Sequence, residues 1–171
     1  MVKRIILSLA VWALAAPVFA TEHEVATYGA ILDACYASAA DSEGHTACIG
    51  KMAETCMARE EGGYSTLGMT YCTAAETQVW DRFLNQEYAS AMAGLKAMDT
   101  AEAQHFPEFA KRAESLRTAQ RAWIAFRDAE CGLAYAMWGS GSMRNIAGVN
   151  CQLEMTAKRT IELRNLGSEM R

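Results

Sequence analysis

Trp123, Arg127, Asp128, Glu130 and Cys131 bring an indole, a guanidinium, two carboxylates and a thiol into one short stretch. Two carboxylates this close suggest glycoside hydrolysis, in which an acid and its partner carboxylate face each other across the scissile bond. On a helix, Asp128 and Glu130 are two positions apart and point in different directions, so they do not flank one substrate. His45 and Cys48 have a spacing that metal sites use, but a cysteine in an exported chain is oxidised rather than ligating. His23 and His105 lie far away along the chain and complete no cluster. Gly139-Ser-Gly-Ser142 lacks the G-x-S-x-G arrangement of a nucleophile elbow, and cysteines held in disulfides are not nucleophiles. These residues therefore predict no catalytic site, no metal and no cofactor, and the chain does not read as an enzyme.

Structure accounts for the same stretch more simply. Leu116, Ala119, Trp123 and Phe126 recur at three- and four-residue steps, which predicts a helix with that face buried. Arg127, one turn beyond Trp123, is placed to stack on the indole or to bond Glu130 at i+3. Asp128 points elsewhere and needs another partner, for which Arg159 is the candidate. Trp80, Trp123, Phe126, Arg127, Asp128, Glu130 and Arg159 are thus expected to serve the core and its ion pairs.

Around this stretch the chain divides into helices. A first helix is expected from Glu22 to Ala40, stopping at the polar turn Asp41-Ser-Glu-Gly44. A second, from His45 to Arg59, carries Cys48, Met52 and Cys56 on one face. Gly62-Gly63 then permits a backbone reversal. Thr73 and Glu76 have capping-box spacing before a stripe of Val79, Trp80, Phe83, Leu84, Tyr88, Ala91 and Leu95. Pro107 marks the connection to the long helix from Glu108 to about Met137, in which Gly132 is a weak point. Residues 138–150 read as a loop, and Asn150 caps a last helix to about Leu166.

Lys3 and Arg4, an apolar run from Ile5 to Ala16, and Val18-Phe19-Ala20 read as a signal peptide over residues 1–20. Residues 21–171 then form a single domain of ordinary size. Lys3 and Arg4 are the only charges in the leader, so its removal moves the net charge from −4 to −6. That balance argues against nucleic acid and anionic lipid as partners. No second long apolar run follows, and no cysteine sits at the cleavage site, so no membrane anchor is expected in the mature form. Abundant Ala and Met, with scarce β-branched runs, favour helix over strand.

The six cysteines are an even number in an exported chain, which predicts disulfides, although sequence alone permits many pairings. Antiparallel packing about the two polar turns favours Cys35–Cys48 and Cys56–Cys72, and elimination leaves Cys131–Cys151. The expected fold is all-α: a single-domain antiparallel helical bundle of four to five helices stapled by disulfides.

The run Ala119-Gln-Arg-Ala-Trp123-Ile-Ala-Phe-Arg127-Asp128-Ala-Glu130-Cys131, followed by Gly139-Ser-Gly-Ser142, Cys151, Thr156, Arg159 and Leu163, resembles the LprI-type lysozyme inhibitor family of small exported helical domains. Upstream, Cys72, Glu76, Trp80-Asp81, Leu84-Asn85 and Tyr88 fit the same pattern. The resemblance extends from about residue 48 to 166. The chain departs from the family in lacking its Thr-Gln-x-Glu-Met-Asn run before Cys72 and in carrying an additional N-terminal cysteine pair.

The resemblance implies a periplasmic or secreted protein that binds and inhibits lysozyme-type muramidases. An acidic domain suits such a partner, because typical lysozymes are cationic. The 138–150 loop, clamped at its base if Cys131 and Cys151 are bonded, is the expected contact, with Ser140, Ser142, Arg144 and Asn145 as its hydrogen-bonding residues. The alternative is a disulfide-stapled cell-envelope interaction module with another, unknown envelope protein as its partner and no lysozyme activity.

Overall fold

The computed structural model describes residues 21–170; the expected signal peptide lies outside the described residues. Within them the regular structure is all helical, with five helices of nine residues or more and two short helical segments. Helix α1 (Glu22–Ser38) buries Tyr28, Leu32 and Tyr36, one per turn. The expected second helix is two: α2 (Ser42–Thr46) and α3 (Lys51–Arg59). Gly50 separates them, because its φ of 89° is a left-handed conformation that a helix interior excludes. Even so, Cys48, Met52 and Cys56 are all fully buried, as their spacing requires.

Helix α4 (Thr66–Glu102) runs for 37 residues, about 55 Å, and is the axis of the molecule. It starts a full two turns before the expected Thr73–Glu76 box, since Ser65 caps it by accepting from the Gly68 N–H at 3.0 Å. Gly68 is required there: a Cβ would lie 2.4 Å from the Gly62 carbonyl oxygen. A 3-10 turn at Pro107–Phe109 leads into α5 (Arg112–Ala136), which passes Gly132 without a break. The last helix, α6 (Met143–Glu169), begins seven residues before Asn150 and absorbs half of the expected loop. Ile146 supplies the reason, since its burial gives that early turn a hydrophobic anchor.

Ion pairs and hydrogen bonds fix the helix directions. Thr160 Oγ1 donates to the Trp80 carbonyl at 3.3 Å and Arg164 pairs with Glu87 at 2.8 Å, so α6 runs parallel to α4. Helix α5 runs antiparallel to both, with Arg112 on Asp99 at its start and Arg159 Nε donating to Gln120 at 3.0 Å midway. Helices α1–α3 pack on the α4–α6 pair. Two apolar clusters result. One surrounds Trp80, where Tyr36 stacks on Phe83 at 4.2 Å between centroids and Trp80 meets both edge-on. The other joins Leu84, Ala91, Met92 and Leu95 of α4 to Leu116 of α5 and Leu163 of α6.

Three disulfides hold the bundle: Cys35–Cys48, Cys56–Cys72 and Cys131–Cys151, each with its Cα atoms between 5.3 and 5.8 Å apart. They close loops of 13, 16 and 20 residues, each contributing roughly 3 kcal/mol if disulfides act by restricting the unfolded chain.

The expected face of α5 needs correction. Phe126 is 58% exposed and Ala119 is exposed, while Trp123 is only half-buried. The buried stripe is instead Ala113, Leu116, Gln120 and Cys131, because the seam against α6 is partly polar. Gln120 there accepts from Arg159, and Arg127 donates to Thr156 Oγ1 at 3.4 Å. Asp128 does not meet Arg159: its partner is the adjacent Arg127 at 2.9 Å, while Arg159 pairs with Glu162. Glu130 is exposed, so the expected Arg127–Glu130 bond is absent.

Candidate protein-binding tip

The α5–α6 connection is one of the places where the fold spends apolar side chains on solvent, others being Tyr64 and Leu67 before and in α4 and Phe106 and Phe109 before α5. Leu133 is 55% exposed, Met137 76%, Trp138 51% and Met143 43%. Single exposed apolar residues are ordinary on a protein surface, but four at one hairpin end form a patch of the kind that partners cover. A Trp and two Met residues also combine a large contact area with the ability to adapt to an irregular partner surface.

Local chemistry explains why the chain reverses here. Gly139 has a φ of 53°, the left-handed conformation that ends a helix, and the Met137 and Gly139 N–H groups donate to the Leu133 and Ala136 carbonyls. The Gly141 N–H donates to the Trp138 carbonyl at 2.9 Å, closing a second turn before α6 starts. The reversal therefore takes only Met137 to Ser142, a short tip between two helices.

Two contacts brace it. The Cys131–Cys151 bond ties the helices together below the tip, and the Met155 sulfur lies 3.7 Å from Cys131 Sγ and 3.8 Å from Cys151 Sγ. Closer to the tip, the Arg144 guanidinium lies over the Tyr135 ring at 5.4 Å and donates to the Gly139 carbonyl at 3.4 Å. Gly148 packs on the same ring, where an added Cβ would sit 3.4 Å from Tyr135 Cδ2.

Ser140 and Ser142 are exposed at the tip, and Asn145 is exposed on the first turn of α6. Arg144 is partly buried and folds back on Tyr135, so it braces the tip instead of reaching outward. The apolar residues Leu133, Met137, Trp138 and Met143 were not among the expected contacts. Their signal lay in the sequence all the same: Tyr135-Ala-Met-Trp138 places large side chains directly against a Gly-Ser turn, where no following helix turn covers them.

Outside the tip, the metal reading of His45 and Cys48 fails on geometry. Cys48 Sγ is bonded to Cys35, and His45 is buried with Nδ1 2.6 Å from the Asp41 carbonyl oxygen. None of the described helices is long and apolar enough to cross a membrane.

Residues 56–163 match the family described as Lysozyme inhibitor LprI. An uncharacterized protein of Rhizobium meliloti (strain 1021) is 34% identical over 102 residues, which cover 60% of this chain and 73% of that one. No solved structure matches the chain significantly. The family match includes α4, α5, the tip and most of α6.

Proposed function

Because the chain belongs to the LprI lysozyme inhibitor family, we propose that it is an exported protein that binds a lysozyme-type muramidase and blocks its substrate cleft with the α5–α6 tip. The observation that carries this reading is the exposed apolar tip on a disulfide-braced hairpin. A short hairpin end with exposed apolar side chains suits a concave enzyme cleft. Bracing matters energetically, because a preformed tip loses little conformational freedom on docking, where each ordered side chain costs about 0.5–1.5 kcal/mol. Trp138 is the natural anchor, since aromatic residues dominate interface energetics. The net charge, −4 for the full sequence and −6 without residues 1–20, favours encounter with a cationic enzyme and makes association faster at low salt. Export rests on the leader-like residues 1–20 and accords with three disulfides, which persist in oxidising compartments.

Clearing of bacterial cell walls by a c-type lysozyme, titrated with the oxidised protein, tests the proposal. Inhibition near stoichiometric ratio is expected. Trp138→Ser combined with Met137→Ser should weaken it at least tenfold, in line with an anchor worth ~2 kcal/mol or more, while the helical circular dichroism stays unchanged. Inhibition that survives these changes would remove the tip from the mechanism. No inhibition at large excess would instead favour an envelope module with another partner.

A further inference from the structure

A second concave surface lies between α4 and α5, bordered by the seam residues Gln120 and Arg127, and takes no part in the tip. It is a groove of about 370 Å³, within the ~300–1,000 Å³ usual for small-molecule sites. Its floor is apolar, from Leu84, Tyr88 and Ile124. Its walls are polar in an ordered way. Asp81 and Asn85 stand at one end, bonded to each other by Asn85 Nδ2 donating to Asp81 Oδ2 at 3.1 Å. Because α5 runs antiparallel to α4, Arg117 and Arg121 stand toward the other end, beyond Tyr88.

The charges in the groove are unequal. Three guanidiniums, those of Arg117, Arg121 and Arg127, face one carboxylate, Asp81, in a protein whose net charge is −4. Arg127 is held by Asp128 and Arg117 by the exposed Glu114. Arg121 is exposed and makes no ion pair among the described residues. An arginine fork left open beside a ring suits a planar carboxylate. The Tyr88 ring and Ile124 offer an apolar face of the kind a pyranose covers. Asp81 and Asn85 offer a carboxylate and an amide to hydroxyl or acetamido groups.

We infer that the α4–α5 groove binds an acidic saccharide, with the sugar ring on Tyr88 and Ile124, its hydroxyls on Asp81 and Asn85, and its carboxylate on Arg121 and Arg117. The inference is independent of muramidase inhibition, since no groove residue belongs to the tip. A sugar carboxylate has two common sources, the lactyl ether of a muramyl residue and the C6 carboxylate of a uronic acid.

The test is a heteronuclear NMR titration of the isotope-labelled, oxidised protein with three disaccharides. They are N-acetylglucosaminyl-N-acetylmuramic acid, an N-acetylglucosamine–glucuronic acid disaccharide, and neutral chitobiose. Shifts at Asn85, Tyr88, Arg121 and Ile124 with an acidic disaccharide, and much weaker ones with chitobiose, are expected. A response to the muramyl sugar alone assigns the lactyl source, and to the uronic acid alone the other. Arg121→Ala, at a side chain with no partner to lose, should weaken binding at least tenfold, the effect of losing a hydrogen bond between charged groups. The same variant should inhibit lysozyme as the wild type does, so that the two readings fail separately. Equal binding of chitobiose, no groove response to either acidic sugar, or wild-type affinity in Arg121→Ala would each overturn the inference.

Discussion

Glu76 is fully buried, and three N–H groups hold its carboxylate: Gly50 at 2.6 Å, Ala53 at 2.7 Å and the Trp80 indole at 3.0 Å. Glu76→Ala strands these donors in the core, each at a cost of about 1–3 kcal/mol, and should lower stability by roughly 3 kcal/mol or more in urea denaturation. Burial is the larger influence on its proton affinity and raises its pKa above the ordinary 4.5, against the pull of the backbone donors. Glu76's contribution to stability is therefore greatest below about pH 4.5 and is lost as pH rises through the elevated folded value. Denaturation of wild type and Glu76→Gln across about pH 4 to 7 should show wild type losing ground to the variant as pH rises. A stability difference that is flat with pH would refute this. On α5, exposure sets the scale of other substitutions. Trp123→Ala should cost about 1–3 kcal/mol, less than a fully buried indole would, because the ring is half-exposed between Arg127 and Arg159. Phe126→Ser should change stability by no more than about 0.5 kcal/mol in the same assay.

Four of the helices, α1, α3, α5 and α6, begin without a side-chain cap of their own, and α4 supplies one for α3 and one for α5. Glu76 serves the start of α3, where Gly50 has no side chain to offer. Asp99 serves α5, accepting from the Arg112 and Ala113 N–H groups at 3.0 and 2.9 Å. Those backbone bonds, with the Ala113 N–H foremost, hold the Asp99 carboxyl below its ordinary 3.8. Asp99's contribution is thus present above about pH 3.8 and lost as pH falls through the depressed value, the reverse of Glu76. Asp99→Ala should fray the first turn of α5, seen as faster amide exchange at Arg112 and Ala113 and unchanged exchange at the tip. This division of labour explains which elements could be read from sequence. The stripes of α1 and α4 and the turn at Gly62-Gly63 are local patterns, and they foretold the bundle and its cysteine neighbours. The start of α4 at Thr66 was hidden because Thr66-Leu-Gly68 looks like loop until Gly68 is seen packed on Gly62. The phase of α5 was misjudged because Gln120 and Arg127 face α6, and only the partners Arg159 and Thr156 make such a polar seam tolerable. The exposed apolar residues of the tip are legible only as large side chains set against a Gly-Ser turn, since no spacing rule says that a helix end will be left uncovered.

At the scale of the molecule, the proposed partner surface and the stabilising core lie apart. Trp80 and the aromatic cluster that encloses it sit under α1–α3, whereas the tip depends on α5, α6 and one disulfide. Replacing Cys131 and Cys151 by serine should therefore impair muramidase inhibition more than it impairs overall helicity, as a turbidity assay and circular dichroism run side by side would reveal. The same bond has a consequence for survival among proteases. A cut anywhere from Met137 to Met143 falls inside the ring that Cys131–Cys151 closes, so the two pieces stay joined. Chymotrypsin acting at Trp138 should yield one band on a non-reducing gel and two after reduction, with cleavage slowed when a muramidase shields the site. A chain cut at its tip would thus remain a single object, still folded around α4.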